Sequence, residues 1–138
     1  MLEALPLGDR LGPSYIIVPE DYDNDGDIDI VVVRDQLPAQ IFTNDGKGAF
    51  SFFSEIIGTA GHGRSAKAFD VNLDGTLDLV IATRRGPDLL AIGNVDGSFR
   101  PAKPIHGIGK GSTGLDVADL DSDGDLDWLS HVVTAKKA

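Results

Sequence analysis

DYDNDGDIDIVV at residues 21–32, DVNLDGTLDLVI at 70–81 and DLDSDGDLDWLS at 119–130 share one pattern: oxygen-bearing side chains at alternate positions around a glycine, then an apolar run. They begin at Asp21, Asp70 and Asp119, so both intervals are 49 residues, with no insertion or deletion. The register extends beyond the loops. Gly48 and Phe50 fall on Gly97 and Phe99, Gly58 on Gly107, and Pro38 on Pro87. A fixed period of about 50 residues marks a repeat architecture whose unit is one supersecondary element.

Within the first full unit, SYIIVPE, DIDIVVV, AQIFTN and AFSFFSEII read as strands a, b, c and d, separated by turns rich in Gly, Pro, Asp and Asn. No window keeps a helical apolar period, and the β-branched run Ile30–Val33 suits a buried strand. The fold class expected is all-β, built of four-stranded antiparallel blades of a β-propeller. The 49-residue repeat divides the chain into 1–20 (strand d of a preceding blade, at residues 1–8, and a strand a), 21–69, 70–118 and a partial repeat at 119–138, all of one propeller domain or assembly. That is about two full blades with partial blades on either side, fewer than the roughly four to eight that close a ring. Repeats do not bury their apolar faces alone, so the expected neighbours are remaining blades or other copies of this chain.

The loops read as D-x-[DN]-x-D-G-x-x-D, with oxygen side chains at positions 1, 3, 5 and 9 and a glycine at 6. Calcium takes about six to eight oxygens at roughly 2.3–2.6 Å, and such a loop delivers them by curling around the ion. Position 7 would contribute a backbone carbonyl, which lets its residue vary. The predicted ligands are Asp21, Asp23, Asp25, Asp27 (carbonyl) and Asp29; Asp70, Asn72, Asp74, Thr76 (carbonyl) and Asp78; and Asp119, Asp121, Asp123, Asp125 (carbonyl) and Asp127. Up to three Ca2+ per chain follow, with the second site weaker for want of a charge at Asn72. An EF-hand begins the same way but needs a Glu at position 12 and flanking helices. Val32, Ile81 and Ser130 stand at position 12, inside strand segments. A polar turn carrying surplus acids is the plainer reading, but three copies in register argue against it, because crowded aspartates repel unless an ion joins them. Magnesium fits less well, since it demands a rigid octahedron and keeps its waters.

The net charge is −10, yet thirteen of the 22 acids sit in these loops, and the other nine face twelve Lys and Arg. The acidity is therefore local, and the chain lacks the basic character that nucleic acid or an anionic membrane would select. No segment approaches the roughly 20 apolar residues of a membrane-spanning helix, and the N-terminus carries no signal-peptide pattern. Absence of cysteine excludes disulfides and thiolate chemistry without fixing the compartment.

Through FDVNLDGTLDLVIA, ADLDSDGDLDWLS and the N-x-x-G-x-F element at Asn94, Gly97 and Phe99, the chain resembles the FG-GAP and VCBS repeats of calcium-binding β-propellers. The resemblance covers nearly the whole chain. It implies a Ca2+-holding loop between strands a and b of each blade, a ring of seven or eight blades, and an extracellular, cell-surface or periplasmic location. It also implies company such as integrin α-subunits, bacterial adhesion or polysaccharide-acting proteins and fungal lectins. No literal Gly-Ala-Pro follows strand b, so VCBS-like is the closer description.

In an antiparallel blade the a–b and c–d turns share one rim, while the b–c and d–a turns share the other. The second rim gathers His62, Arg64, Arg84, Arg85 and Lys110, a cationic set that suits a protein or an acidic glycan. Ordinary solvated loop charges are the competing reading of each residue. Catalytic signals are missing: His62, His106 and His131 lie at no metal-ligand spacing, and no G-x-S-x-G occurs. His131 reads as a structural strand residue and Trp128, at the position of Ile30 and Leu79, as a core filler. The reading preferred is a non-enzymatic, calcium-stabilised scaffold for protein or glycan binding. Two others stay open: part of a polysaccharide lyase or hydrolase whose catalytic residues lie elsewhere, and a blade fragment, natural or engineered, that completes a ring by homo-oligomerisation.

Overall fold

IVVVR at 30–34 and LVIAT at 79–83 carry no alternation, so a strand made from either must be covered on both faces. A computed structural model describing residues 15–105 and 112–132 shows that they are. Strand β2 (Asp29–Arg34) lies second in a four-stranded antiparallel sheet with β1 (Tyr15–Glu20), β3 (Ala39–Asn44) and β4 (Phe50–Ile56), in the order β1-β2-β3-β4. The next sheet repeats that order with β5 (Gly63–Phe69), β6 (Asp78–Thr83), β7 (Leu89–Ala91) and β8 (Lys103–Pro104). Strands β9 (Ser112–Ala118) and β10 (Asp127–Val132) pair as the first two of a third. Every residue of β2 and of β6 is buried.

The sheets stack as neighbouring propeller blades do, with the first strands side by side: β1 packs on β5 and β5 on β9. Between the first two blades, Val18, Val31, Val33, Ala39, Ile41 and Ile56 meet Ala66, Leu79, Ile81 and Ala91. The alternate residues of β6, Val80 and Ala82, turn to the third sheet and join Phe69 and Leu115. Strand β6 thus supplies two interfaces, while on β2 the alternate residues Ile30 and Val32 are covered by Phe42 and Phe50 of their own sheet; each fully buried Val, Leu or Ile contributes about 1.5–3 kcal/mol relative to exposure. That is why the run is continuous rather than alternating.

The outer strands of the second blade are shorter than those of the first. Pro101 and Pro104 have no amide to donate to the ladder, and the β7–β8 pairing is short, Leu89 with Pro104 and Leu90 with Lys103, continued among the described residues only by an isolated bridge of Gly93 to Phe99. The expected strand d at residues 1–8, together with His106, Lys110 and residues 133–138, lies outside the described residues. His131 falls on β10, while its side chain and that of Trp128 are likewise outside the description.

Pairing register places the loops. Glu20 pairs with Asp29, Phe69 with Asp78 and Ala118 with Asp127, so every a–b connection spans positions 1 to 8 of its loop and position 9 opens strand b. All three loops leave and re-enter the sheet at one register.

Candidate metal centre

The three loops share a backbone conformation. Position 6 is left-handed in each, at Gly26 (φ 92°), Gly75 (89°) and Gly124 (97°), where a side chain would be strained. Position 4 is left-handed too, at Asn24 (59°), Leu73 (58°) and Ser122 (61°). Two such turns within three residues curl the chain so that odd-numbered side chains converge.

Backbone amides then bind the carboxylates. At position 1, Asp21 accepts from the amides of Asp25 (3.2 Å) and Gly26 (2.9 Å), Asp70 from Asp74 (3.1 Å) and Gly75 (2.8 Å), and Asp119 from Asp123 (3.2 Å) and Gly124 (3.1 Å). At position 5, Asp25, Asp74 and Asp123 accept from the amide of position 7 at 2.9, 2.9 and 3.1 Å. Asp23 and Asp121 at position 3 each accept from position 5 at 3.2 Å.

Position 9 does more than close the loop. Asp29 is wholly buried and accepts from the amides of Tyr22 (3.1 Å) and Asn44 (3.0 Å). Asp78, equally buried, accepts from Val71 (2.9 Å) and Gly93 (2.8 Å), and Asp127 from Leu120 (3.0 Å). In the two complete blades this carboxylate therefore ties the start of the loop to the end of strand c. The link to strand c was not foreseen from sequence; the only signal was that position 9 never varies in type.

One oxygen each of Asp21, Asp23 and Asp29 lie within 4.8 Å of one another, as do those of Asp119, Asp121 and Asp127, and those of Asp121, Asp123 and Asp125. The second loop offers Asp70, Asp78 and the amide of Asn72 at the same positions. Such all-oxygen sets match what a hard cation takes. Thr76 uses its hydroxyl on Asp74 (2.7 Å), with the Gly93 carbonyl also near it at 3.3 Å. Its backbone carbonyl is then the group it can offer an ion. Asp27 sits against the c–d turn, where a Cβ on Gly46 would come within 2.8 Å of its carboxylate.

Without a cation this crowding costs ionisation energy. Partial burial, then the charge of Asp29, pushes the Asp23 carboxyl up to about 6. A hydrogen bond shared with Asp123, followed by burial, pushes Asp125 to about 6 and holds Asp123 below the usual range. Burial raises Asp78, and burial with the surrounding carboxylates raises Asp27. Asp74 is lowered, first by the Thr76 hydroxyl.

On the opposite rim the b–c turn of the first blade meets the linker into the second. Nδ1 of His62 lies 2.9 Å from Oδ1 of Asp35, and the Gln36 amide donates to the Gly61 carbonyl at 2.7 Å. Asp35, His62, Gly63, Arg64 and Arg84 line a small cavity of about 50 Å³. Arg64 and Arg84 are exposed; Arg85 is exposed as well but is not part of that lining. Asp35 was missed as the partner of His62, since 27 residues separate them and nothing local joins them. Among the described residues, the Asp loops and His62, Arg64, Arg84 and Arg85 thus occupy opposite rims, as the blade's alternating turns require.

Comparison with known proteins agrees with this architecture. The model of the FG-GAP-like repeat matches residues 21–81 and again 70–130. The chain belongs to the FG-GAP-like repeat family. The two matches are offset by the same 49 residues as the Asp loops, and each FG-GAP-like match begins on a position 1 aspartate. No curated protein and no solved structure matches the chain.

Proposed function

We propose that this chain is a calcium-braced segment of a β-propeller that acts as a non-catalytic binding scaffold outside the cytoplasm, with its acidic rim holding Ca2+ and its basic rim engaging an acidic glycan. The observation that carries the calcium reading is the recurrence, at 49-residue intervals, of one loop conformation, in whose first and third copies the carboxylates of positions 1, 3 and 9 converge. Asp21, Asp23, Asp25 and Asp29, with the Asp27 carbonyl, would hold one ion. The equivalent sets from Asp70 to Asp78 and from Asp119 to Asp127 would hold two more. Bound Ca2+ supplies charge neutralisation that lets the loop aspartates stay ionised together. Three ions would bring the net charge from −10 to about −4.

The basic rim supports the glycan half of the proposal. Arg64 and Arg84 line a small cavity with His62 and Asp35, and Arg forks match carboxylate and sulfate groups in geometry. His62, oriented through Nδ1 by Asp35, leaves Nε2 for a sugar hydroxyl. Retention of the calcium-loaded chain on uronate or sulfated polysaccharide, compared with a neutral polymer, tests this. Binding to the acidic polymer that falls about tenfold or more in the Arg64→Ala/Arg84→Ala variant is expected, as charged hydrogen bonds are worth roughly 1.5–3 kcal/mol each. Unchanged retention in that variant would refute the assignment of the rim, and depolymerisation by the chain alone would refute the non-catalytic reading.

A further inference from the structure

The c–d turn of the second blade lies against the Asp loop of the first. A Cβ placed on Gly97 would stand 3.1 Å from the Cβ of Asp23 and 3.5 Å from its Cα and N, so the turn and the loop touch, and a methyl group there would press Asp23 aside by a few tenths of an ångström. Two residues on, the Phe99 ring meets Tyr22 edge to face, with centroids 5.6 Å apart. Tyr22 is itself fixed: its hydroxyl donates to the Val18 carbonyl at 3.0 Å and its amide to Asp29. The second blade therefore bears on loop positions 2 and 3 at once, on the backbone that carries Asp23 and on the residue whose amide holds Asp29.

The first blade has the same turn, which meets its own loop at Asp27 through Gly46, but its Gly48 makes no contact like that of Gly97. Asp45 donates to Ala49 (3.0 Å) as Asn94 does to Ser98 (2.8 Å), and Gly48 (φ 87°) corresponds to Gly97 (φ 90°). Among the described residues, a Cβ on Gly48 meets nothing within 4 Å.

We propose that Gly97 is a positioning residue for the cation site of the preceding blade: the turn it permits seats Asp23, so ion affinity at the first loop is set in part by the seam between blades. This rests on the reading that Asp21–Asp29 holds a cation. Contacts behind a metal ligand orient it, and losing them costs affinity though they never touch the ion. By linkage, an ion that prefers the seated loop strengthens the seam by the same factor.

A 1H–15N NMR titration of the full chain with Ca2+ reads each loop separately. The amides of Gly26, Gly75 and Gly124 each donate to the position 1 carboxylate of their own loop. Gly97→Ala and Gly48→Ala impose the same left-handed strain on equivalent turns, so their difference isolates the contact with Asp23. The expected result is affinity about tenfold weaker at Gly26 in Gly97→Ala, a loss larger than that at Gly26 in Gly48→Ala or at Gly75 in Gly97→Ala, with Gly124 unaffected. Equal effects of the two variants at Gly26, or a uniform loss at all three glycines, would overturn the proposal. Should Gly97→Ala fail to fold, Phe99→Leu must weaken the Gly26 site alone, and parent-like affinity there overturns it. No response at Gly26 in the parent chain would sink the cation reading itself, and the proposal with it.

Discussion

Asp29 shows why residue type and residue role must be separated in these loops. Its carboxylate is wholly buried and already accepts two backbone amides, so it braces the fold whether or not an ion is present. Asp29→Ala should cost at least about 2 kcal/mol, since each orphaned buried donor costs roughly 1–3 kcal/mol, and the loss should persist in chelator. Chemical denaturation in excess EDTA measures it; a loss seen only with Ca2+ would assign Asp29 to the ion alone. Leu73 makes the opposite point. It is exposed and left-handed (φ 58°), at a position where the first loop has the better suited Asn24. Leu73→Asn should raise stability by about 1 kcal/mol, read from the denaturation midpoint, because branched side chains resist that conformation. Asp23, together with Asp125, sets the pH response. The Asp23 carboxyl is raised from 3.8 to about 6, so the ion-free fold favours the proton. That contribution is full below about pH 4 and is lost as pH rises through 6, whereas Ca2+ needs the carboxylate and binds more weakly as pH falls through 6. Melts in chelator and in calcium should therefore slope in opposite directions between pH 5 and 7; parallel slopes would contradict this.

At the scale of the element, the a–b loop is a connector whose geometry recurs three times from three different sequences. Alternating aspartates around a glycine made the odd positions legible as donors, and the apolar run made strand b legible as buried. Three features were not. The left-handed turn at position 4 is occupied by Asn, Leu and Ser, which share no propensity, so it is imposed by the carboxylate–amide bonds around it rather than by local preference. The hold of position 9 on strand c, and the pairing of Asp35 with His62, join residues far apart in the chain, which periodicity cannot reveal. Asn72 gives the loops a built-in comparison. With one carboxylate fewer among positions 1, 3, 5 and 9, and Thr76 for an Asp at position 7, the second loop should bind Ca2+ most weakly of the three, and Asn72→Asp should tighten it several-fold, since ligand charge count tunes calcium affinity. Calorimetric titration of parent and variant checks this, and identical isotherms would mean that Asn72 is not a ligand.

Across the whole molecule, the 49-residue period carried the architecture from sequence to structure with little loss, because each blade is one local four-stranded unit and stacking adds interfaces without changing connectivity. The short outer strands of the second blade depart from the repeat where Pro101 and Pro104 interrupt the ladder. The apolar seams and the acidic rim then divide the work: burial joins blade to blade, and the loops, crowded with thirteen acids, oppose the fold unless something neutralises them. That claim is most directly tested by thermal melting at pH 7 with Ca2+ and with chelator. At a ligand concentration about 100 times Kd each site should add roughly 2.7 kcal/mol, so the account predicts a melt several degrees or more higher in calcium. A melting temperature indifferent to calcium would contradict it.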